Sequence, residues 1–288
     1  DRRSLIHTEM DSLASYLNED SDQFMQMKEY TKQEELGRGG FGTVYKYHNN
    51  CLDMDFAVKI YDPVFVSAEE QLEGEKRFFR EAKMLFSLNN THIARIYDAG
   101  RMDGKPYIRM EYIKGYTVEE LRNREGNMSF SRSAIVILHI LVGLKHAHEH
   151  GVIHRDLRPR NVIFSENERM FKIIDFGVSA FLDTENHTQL TKTGEHIAGG
   201  SFIDPILQQK PKIRDVRSDI YSVGAIWYFL LCGRAPSGSD MREYLEKSNS
   251  QITPTDIDII MKCLSSSIEN RYSSCEELLP IVKNAAMG

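Results

Sequence analysis

The sequence predicts an α+β fold in which a strand-rich lobe precedes a mainly helical lobe. Within residues 30–112, short runs rich in β-branched and aromatic residues read TVYKYH, DFAVKIY, RIYDAG and YIRMEYI. One strongly charged helix interrupts these runs around residues 73–88, and from Val118 onward the apolar residues recur at the helical period. A ligand cleft is expected between two such lobes.

The composition excludes several classes of protein. The 288 residues include 36 Lys and Arg against 42 Asp and Glu, and the net charge of −6 has the wrong sign for general nucleic-acid binding. The four cysteines form no C-x-x-C pair, so neither a zinc site nor a disulfide framework is predicted, and a cytoplasmic location is expected. No uninterrupted apolar run approaches the roughly 20 residues of a membrane helix, so no membrane segment is predicted.

Residues 1–28 form a predicted amphipathic helical extension. Ile6, Met10, Leu13 and Leu17 recur at helical spacing within a polar background. Two interpretations stay open for this stripe. Either the helix packs back on the body of the protein, or it makes a dimer or partner contact.

The first chemical motif is the glycine-rich run LGRGGFGTV, which begins at Leu36 and ends at Val44. Gly37, Gly39 and Gly42 allow tight turns and a close approach of backbone N–H groups to phosphate oxygens. A plain glycine-rich hairpin or a dinucleotide-binding turn would share this pattern. Because a dinucleotide fold needs a helix directly after the glycines and TVYKYH continues as a strand, we expect a hairpin that covers phosphates.

Lys59 lies inside the apolar run FAVKI, where a lysine is costly unless it is paired or bound to an anion. Glu81, on the charged helix EKRFFREAKMLF, is its best partner, and Phe78, Leu85 and Phe79 form the apolar face of that helix. The alternative for Glu81 is an exposed helical glutamate, which is the usual fate of such residues.

The helical portion contains the long run SRSAIVILHILVGLKHAHEHG. Ser129 or Ser131 is the predicted N-cap and Gly151 the predicted stop. Further apolar helices are expected over residues 219–232 and 255–264.

Two polar segments follow the long helix, HRDLRPRN and KIIDFGVS. Asn161 precedes the apolar strand VIF, and Asp175 ends the next strand, so a short turn would bring both side chains together. Their oxygens suit Mg²⁺, with nucleotide phosphates completing its shell. Asp156 is then left as a base near an attacking hydroxyl. Each residue alone could equally belong to an ordinary turn.

Together these residues resemble the eukaryotic-type, or Hanks-type, protein kinase family over about residues 30–285. The resemblance implies a two-lobed protein kinase fold, with an N-lobe at 29–112 and a C-lobe at 116–286 within a domain at 29–286. It also implies ATP and Mg²⁺ as cofactors and a protein substrate. Lys59 would hold the α/β-phosphates and pair with Glu81, Asp156 would accept the substrate proton, and Asn161 and Asp175 would bind Mg²⁺.

The same resemblance assigns the nucleotide pocket. Leu36 and the glycines would cover the nucleotide, and the backbone at Glu111 and Ile113 would meet the adenine edge beside Met110. The residues that would sandwich the adenine ring are Val44, Ala57 and Ile163. The residues that would form an apolar spine anchored by Asp219 are Leu85, Ile96, His154 and Phe176.

Two departures from the family pattern bear on specificity. Serine/threonine kinases usually have lysine where this chain has Arg158, a catalytic position that keeps its positive charge here. In the family, the glutamate of an Ala-Pro-Glu motif pairs with a late arginine, which Arg271 resembles. Here FIDPILQQ replaces that motif, so Arg271 would either pair with Asp204 or face solvent. A serine/threonine kinase is predicted, with a tyrosine or dual-specificity kinase and a nucleotide-binding pseudokinase as alternatives.

Autophosphorylation is also expected. Arg155 would receive the phosphate of a modified loop threonine. The candidate threonines are Thr184, Thr188, Thr191 and Thr193. The alternative is an unmodified loop.

Overall fold

The structure is a computed structural model that describes residues 29–39, 42–62, 67–176, 202–210, 213–248 and 252–287. The predicted extension at residues 1–28 lies outside these ranges. The chain divides into two compact units. The first contains the described residues up to Ala82 together with Ile96–Tyr112, and the second contains Lys83–Arg95 and the described residues from Ile113 onward. The predicted boundaries of the two lobes stay a prediction.

The first unit is built on a five-stranded antiparallel sheet with strand order β1-β2-β3-β5-β4. Its strands are β1 (Tyr30–Gly39), β2 (Gly42–Asn49), β3 (Met54–Tyr61), β4 (Ile96–Met102) and β5 (Lys105–Glu111). The four runs predicted from alternation are therefore confirmed as β2 to β5. The sheet precedes a helical unit, which confirms the predicted α+β class.

Helix α1 (Ala68–Phe86) packs on this sheet through its apolar face. Phe78 is completely buried, and its ring lies 4.9 Å from the ring of Tyr61 at the end of β3. About one turn earlier on the helix, Glu75 pairs with Arg101 of β4 at 2.5 Å. The apolar face predicted from the sequence thus places α1 against the strand that carries Lys59.

The second unit combines a small three-stranded sheet with the remaining helices. The sheet order is β6 (Gly115–Thr117), β7 (Val162–Ser165) and β8 (Met170–Ile173). The helices are α2 (Val118–Glu125), α3 (Phe130–Glu149), α4 (Ile206–Gln209), α5 (Arg217–Cys232), α6 (Met241–Ser248), α7 (Pro254–Cys263) and α8 (Cys275–Met287). Ser129 caps α3 by accepting from the backbone N–H of Arg132, and Gly151 follows the helix with φ 73°.

The core of the second unit surrounds α5, which is buried from Ser218 to Cys232. Trp227 donates its indole N–H to the buried Ser133 hydroxyl of α3 at 2.8 Å. Gly224 allows α7 to approach closely, because a Cβ there would lie 2.5 Å from the Cβ of Cys263. These contacts join three helices into one packed layer.

Helix α3 is long and apolar enough, by length and composition, to cross a membrane. The same test is passed by helices that form protein cores, and half of the apolar window of α3 is buried inside the protein. The helix packs on α5, α8 and β8. In the described part of the chain it is the one helix with these properties.

Candidate active site

The glycine-rich run forms the hairpin between β1 and β2, which confirms that a strand follows the glycines. Gly37 pairs with Val44, and Gly39 pairs with Gly42. Gly42 has φ 141°, and an added Cβ would lie 1.9 Å from the carbonyl oxygen of Ile60 on β3. Gly42 is therefore required by packing within the sheet. Gly37 instead borders open space, since an added Cβ would meet nothing within 4 Å.

Lys59 lies on β3 and is 8% exposed. It is directly opposite Val44 of β2 and Ile108 of β5, and Ala57 lies two residues away on the same strand. Directly paired residues share a face of the sheet, as do residues two apart. Val44, Ala57 and Lys59 therefore share one face, as an adenine and phosphate site requires.

Three further predicted nucleotide residues lie in β1 or at the end of β5. Leu36 lies in β1 and is exposed, Glu111 ends β5 opposite Phe56, and Ile113 is buried just beyond β5. Glu81 belongs to α1, but its side chain is outside the part of the chain that the structure describes. The predicted pair of Lys59 with Glu81 stays a prediction.

In the second unit, Asp219 fixes the segment that carries Asp156. Asp219 lies in the first turn of α5 and is completely buried. Its Oδ2 accepts the N–H of His154 at 2.8 Å, and its Oδ1 accepts the N–H of Arg155 at 2.8 Å. His148 contacts Oδ2 through Nε2, also at 2.8 Å. Burial acts to raise the pKa of the Asp219 carboxyl, yet these partners keep that pKa below its usual value.

Asp156 follows immediately and is partly exposed. Its Oδ1 lies 2.6 Å from Nη2 of Arg158, in an ion pair whose side chains are 34% and 24% exposed. Asn161 donates its amide N–H to the Asp156 backbone carbonyl at 2.8 Å. The predicted base Asp156 therefore contacts both Arg158 and the predicted metal ligand Asn161 within one short segment.

Asn161 and Asp175 flank the open end of the β7–β8 hairpin. Val162 pairs with Ile173, and the N–H of Ile174 donates to the carbonyl of Asn161 at 2.9 Å. The predicted hairpin is thus confirmed. Asp175 follows the end of β8 and has φ 53°, so its backbone is in the left-handed conformation and no longer continues the strand. Ile163 lies on β7, opposite Lys172 and Thr117.

The chemistry of these donors fits Mg²⁺. Because the Asn161 amide nitrogen donates to Asp156, its oxygen is the atom left to accept, and Asp175 supplies a carboxylate. Mg²⁺ takes one or two such protein oxygens together with phosphates and waters. Among the described residues, no group of three or more His, Cys, Asp or Glu side chains could hold a metal ion without such outside ligands.

His154 and Phe176 form a buried contact beneath the same segment. His154 is fully buried, and its ring lies 4.7 Å from the ring of Phe176. Its Nδ1 accepts the N–H of Asp156 at 3.3 Å. The predicted spine residues His154 and Phe176 therefore lie together, next to the predicted base.

Arg271 finds its partner in Asp204, and a position facing solvent is ruled out. Both side chains are completely buried. Nη2 of Arg271 donates to Oδ1 of Asp204 at 3.0 Å, and Nη1 donates to Oδ2. Nε of Arg271 also donates to the carbonyl of Ser265 at 2.8 Å, so the buried guanidinium is well supplied with acceptors.

The histidines at the end of α3 have separate roles that sequence reasoning missed. His148 contacts Asp219 through one ring nitrogen and lies 3.6 Å from the Cys275 thiol through the other. His146 accepts the N–H of Asn89 at 3.2 Å, and His150 contacts the carbonyl of His146. His146 and His150 have the i, i+4 spacing of a possible metal site, but the three histidines contact different partners instead. No sequence signal marked the contact with Cys275.

The candidate phosphosites Thr184, Thr188, Thr191 and Thr193 lie outside the described residues. Arg155, their predicted receiver, has φ 61° and donates through Nη2 to the carbonyl of Ile213 at 2.5 Å.

Comparison with known proteins adds three findings. A family model described as Protein kinase domain matches residues 30–282. A probable serine/threonine-protein kinase of Clostridium acetobutylicum is 29% identical over 267 residues, covering 88% of this chain and 39% of its own length. The serine/threonine-protein kinase PknB of Mycolicibacterium smegmatis is 31% identical over 272 residues, covering 86% and 41%. The chain therefore spans about two fifths of the length of these curated relatives.

Among solved structures, the crystal structure of Rad53 1-466 in complex with AMP-PNP matches with a TM-score of 0.68 at 24% identity. The match covers 88% of this chain and 64% of that one. At this identity the likeness shows a shared fold.

Proposed function

This chain belongs to the protein kinase family, and we propose that it transfers the γ-phosphoryl group of ATP to serine and threonine hydroxyls of proteins. The observation that carries the proposal is the anchored segment around Asp156. Asp219 fixes the backbone of His154 and Arg155, and Asp156 follows with its carboxylate partly exposed. A carboxylate held in this way can accept the proton of an incoming hydroxyl.

The nucleotide would be held by the first unit. Val44 and Ala57 supply apolar contacts to the adenine, and Lys59 supplies a positive charge to the phosphates. The position of Lys59 supports this role, because it shares one face of the sheet with Val44 and Ala57. Gly37 supports it too, because it leaves open space where phosphates need close backbone approach.

Asn161 and Asp175 would hold Mg²⁺, which neutralises the negative charge of the phosphates when it is bound. Arg158, which pairs with Asp156, adds a positive charge to that of the metal ion. A guanidinium stays protonated at any physiological pH and offers several donors in one plane, so it can contact the Asp156 carboxylate and a phosphate oxygen together. Catalysis then depends mostly on position and on electrostatic stabilisation.

The choice of hydroxyl is proposed from the relatives, which carry the name serine/threonine-protein kinase. Phosphoamino acid analysis of labelled products separates this choice from a tyrosine or dual-specificity kinase. Mass spectrometry of the purified protein with and without ATP would show autophosphorylation and identify its sites.

The decisive test compares the wild type with Asp156→Asn in transfer of labelled phosphate from ATP to mixed peptides. The control is Asp53→Asn, which makes the same chemical change at a turn residue whose φ of 52° asparagine tolerates. We expect Asp156→Asn to lose nearly all transfer and the control to keep it. Nucleotide-dependent melting of a wild type without any transfer would instead support a pseudokinase.

We also propose a reducing compartment, such as the cytoplasm, as the place where the protein works. The four cysteines are free thiols, with Cys232, Cys263 and Cys275 buried and Cys51 exposed.

A further inference from the structure

The second unit contains a cavity that none of the proposed catalytic positions lines. Its volume is about 320 Å³, and it lies between α2, α3 and the β7–β8 hairpin. Its apolar floor is formed by the buried side chains of Leu121, Met128, Val136 and Phe171. This volume is within the range of pockets that take ligands, roughly 300–1,000 Å³.

Three arginines surround the mouth of this cavity. Arg132 pairs with Glu125, which also lines it. Arg124 lies 4.2 Å from the ring centre of Tyr116, and Arg169 lies 5.7 Å from that of Phe164. Within the described ranges, no carboxylate lies within 4.0 Å of Arg124 or Arg169, although Tyr116 first, and then Glu125 and Glu166, raise the pKa of Arg124.

The rim of the cavity, formed by Arg124, Arg132, Arg169 and Glu125, therefore has a charge opposite in sign to the net charge of the protein. Three arginines, set against Glu125 in the lining and Glu166 near Arg124, still give a local excess of positive charge on a chain whose net charge is −6. The aromatic rings hold the guanidinium planes while the N–H groups remain able to donate to a carboxylate. Ile135 at the same mouth is 42% exposed, so apolar surface continues outward from the floor.

We propose that this cavity docks a peptide segment of a partner protein in which an apolar side chain is flanked by carboxylates. The apolar side chain would enter between Met128 and Phe171, and the carboxylates would pair with Arg124 and Arg169. Charge complementarity selects this chemistry, because an apolar peptide would leave the arginines unmatched and a basic peptide would be repelled. The site would recruit partners without taking part in phosphoryl transfer.

The test uses an immobilised library of short peptides with one position fixed as Leu or Phe and flanking positions randomised among Glu, Gln, Lys and Ser. Peptides retained by the wild type are compared with those retained by Arg124→Glu, Arg169→Glu and the control Lys247→Glu. Lys247 is an exposed residue of α6 with the same change of charge. We expect the wild type and the control to enrich Glu beside the fixed residue, and both rim variants to lose that enrichment.

The best peptide is then measured by fluorescence anisotropy. Each rim reversal, and replacement of the fixed Leu or Phe by Ser, should weaken binding about tenfold or more. Arg124→Gln and Arg169→Gln serve if a reversal impairs folding, which circular dichroism would reveal. Absence of Glu enrichment on the wild type, or its persistence in both rim variants, would overturn the proposal.

Vesicles containing phosphatidylserine provide the remaining comparison. Binding of vesicles that depends on Arg124 and Arg169, without binding of acidic peptides, would assign the site to a lipid and overturn the peptide proposal. All these measurements omit ATP, so failure of docking and failure of the proposed kinase activity are distinguishable.

Discussion

Arg158 and Asp156 form an ion pair of 2.6 Å at the predicted base. Serine/threonine kinases usually have lysine at the position of Arg158. The guanidinium is engaged by one carboxylate oxygen and still has donors to offer. A lysine could supply the charge but not the planar arrangement of donors. The departure from the family pattern therefore keeps the electrostatic element of the site and changes its geometry.

We expect Arg158→Lys to keep activity within about tenfold of the wild type, because the charge is retained. Arg158→Met removes the charge and should lower kcat about a hundredfold, the usual cost of losing one donor to a developing negative charge. Steady-state kinetics on a peptide substrate would measure both. A wild-type kcat in Arg158→Met would show that this cation has no part in transfer.

Removal of one partner of the buried Asp204 and Arg271 pair should be strongly destabilising. We expect Asp204→Ala to lower the free energy of unfolding by about 3–5 kcal/mol, because it leaves a buried guanidinium without its counter-ion. Urea titration would measure this loss. Asp240→Ala breaks the exposed pair with Arg234 and should cost far less than Asp204→Ala, because water solvates the charge that is left. In the double variant Asp204→Ala with Arg271→Met, part of the lost stability should return, since no unpaired charge is then buried.

Stability should fall in mild acid because of His139. Its Nδ1 accepts the N–H of Phe171, and its ring stacks on His92 with centres 4.4 Å apart. Burial first, and the neighbouring His92 second, lower the pKa of His139 from 6.5 to about 4. Between pH 6.5 and about 4, His139 is therefore protonated in the unfolded chain but neutral in the folded chain. Stability that is present above pH 6.5 is lost as the pH falls toward 4.

The size of this effect is up to about 2 kcal/mol, allowing for solvent screening of a partly buried ring. Urea titrations at pH 7.5 and pH 5 would measure it. His139→Asn keeps an acceptor for Phe171 but does not titrate, so it should flatten the dependence. A smaller slope should remain, because burial and His150 also lower the pKa of His146. An unchanged slope in His139→Asn would exclude His139 as the cause.

Two glycines of the β1–β2 hairpin should respond differently to alanine. Gly42→Ala forces a Cβ against the Ile60 carbonyl at a φ of 141° and should cost about 1–3 kcal/mol of stability. Gly37→Ala enters open space and should change stability by less than about 0.5 kcal/mol. If phosphates lie over this hairpin, Gly37→Ala should still raise the KM for ATP. Thermal melting and ATP titration of the two variants separate packing from ligand contact.

The sequence could predict features that depend on local pattern. Alternation located β2 to β5, and the helical period with a serine cap located α3. Strand β1 was not among the predicted runs, because TKQEELGR is polar and almost entirely exposed and its pairing with β2 alone makes it a strand. Strand β6 was also missed. It depends on a tertiary contact, since a Cβ at Gly115 would lie 1.8 Å from the Phe164 carbonyl oxygen.

Much of the candidate site followed from motifs, because Asp156, Asn161 and Asp175 lie within short segments joined by a single hairpin. Contacts between distant residues did not follow. Asp204 was one of two candidate partners for Arg271, and only the packing of two segments 67 residues apart decided between them. The contact of Cys275 with His148 and the arginine-rimmed cavity likewise exist only once separate helices have packed.

The two bonds from Asp219 also determine how the segment of Asp156 exchanges with solvent. The amide hydrogens of His154 and Arg155 can exchange only after they leave a carboxylate on a helix that is buried along almost its whole length. Although the segment has no regular secondary structure, we expect its opening to be coupled to that of this buried helix. Hydrogen–deuterium exchange at these two amides should therefore be as slow as in the centre of α5. The loop that carries Asp156 would then be protected from exchange as strongly as the helical core.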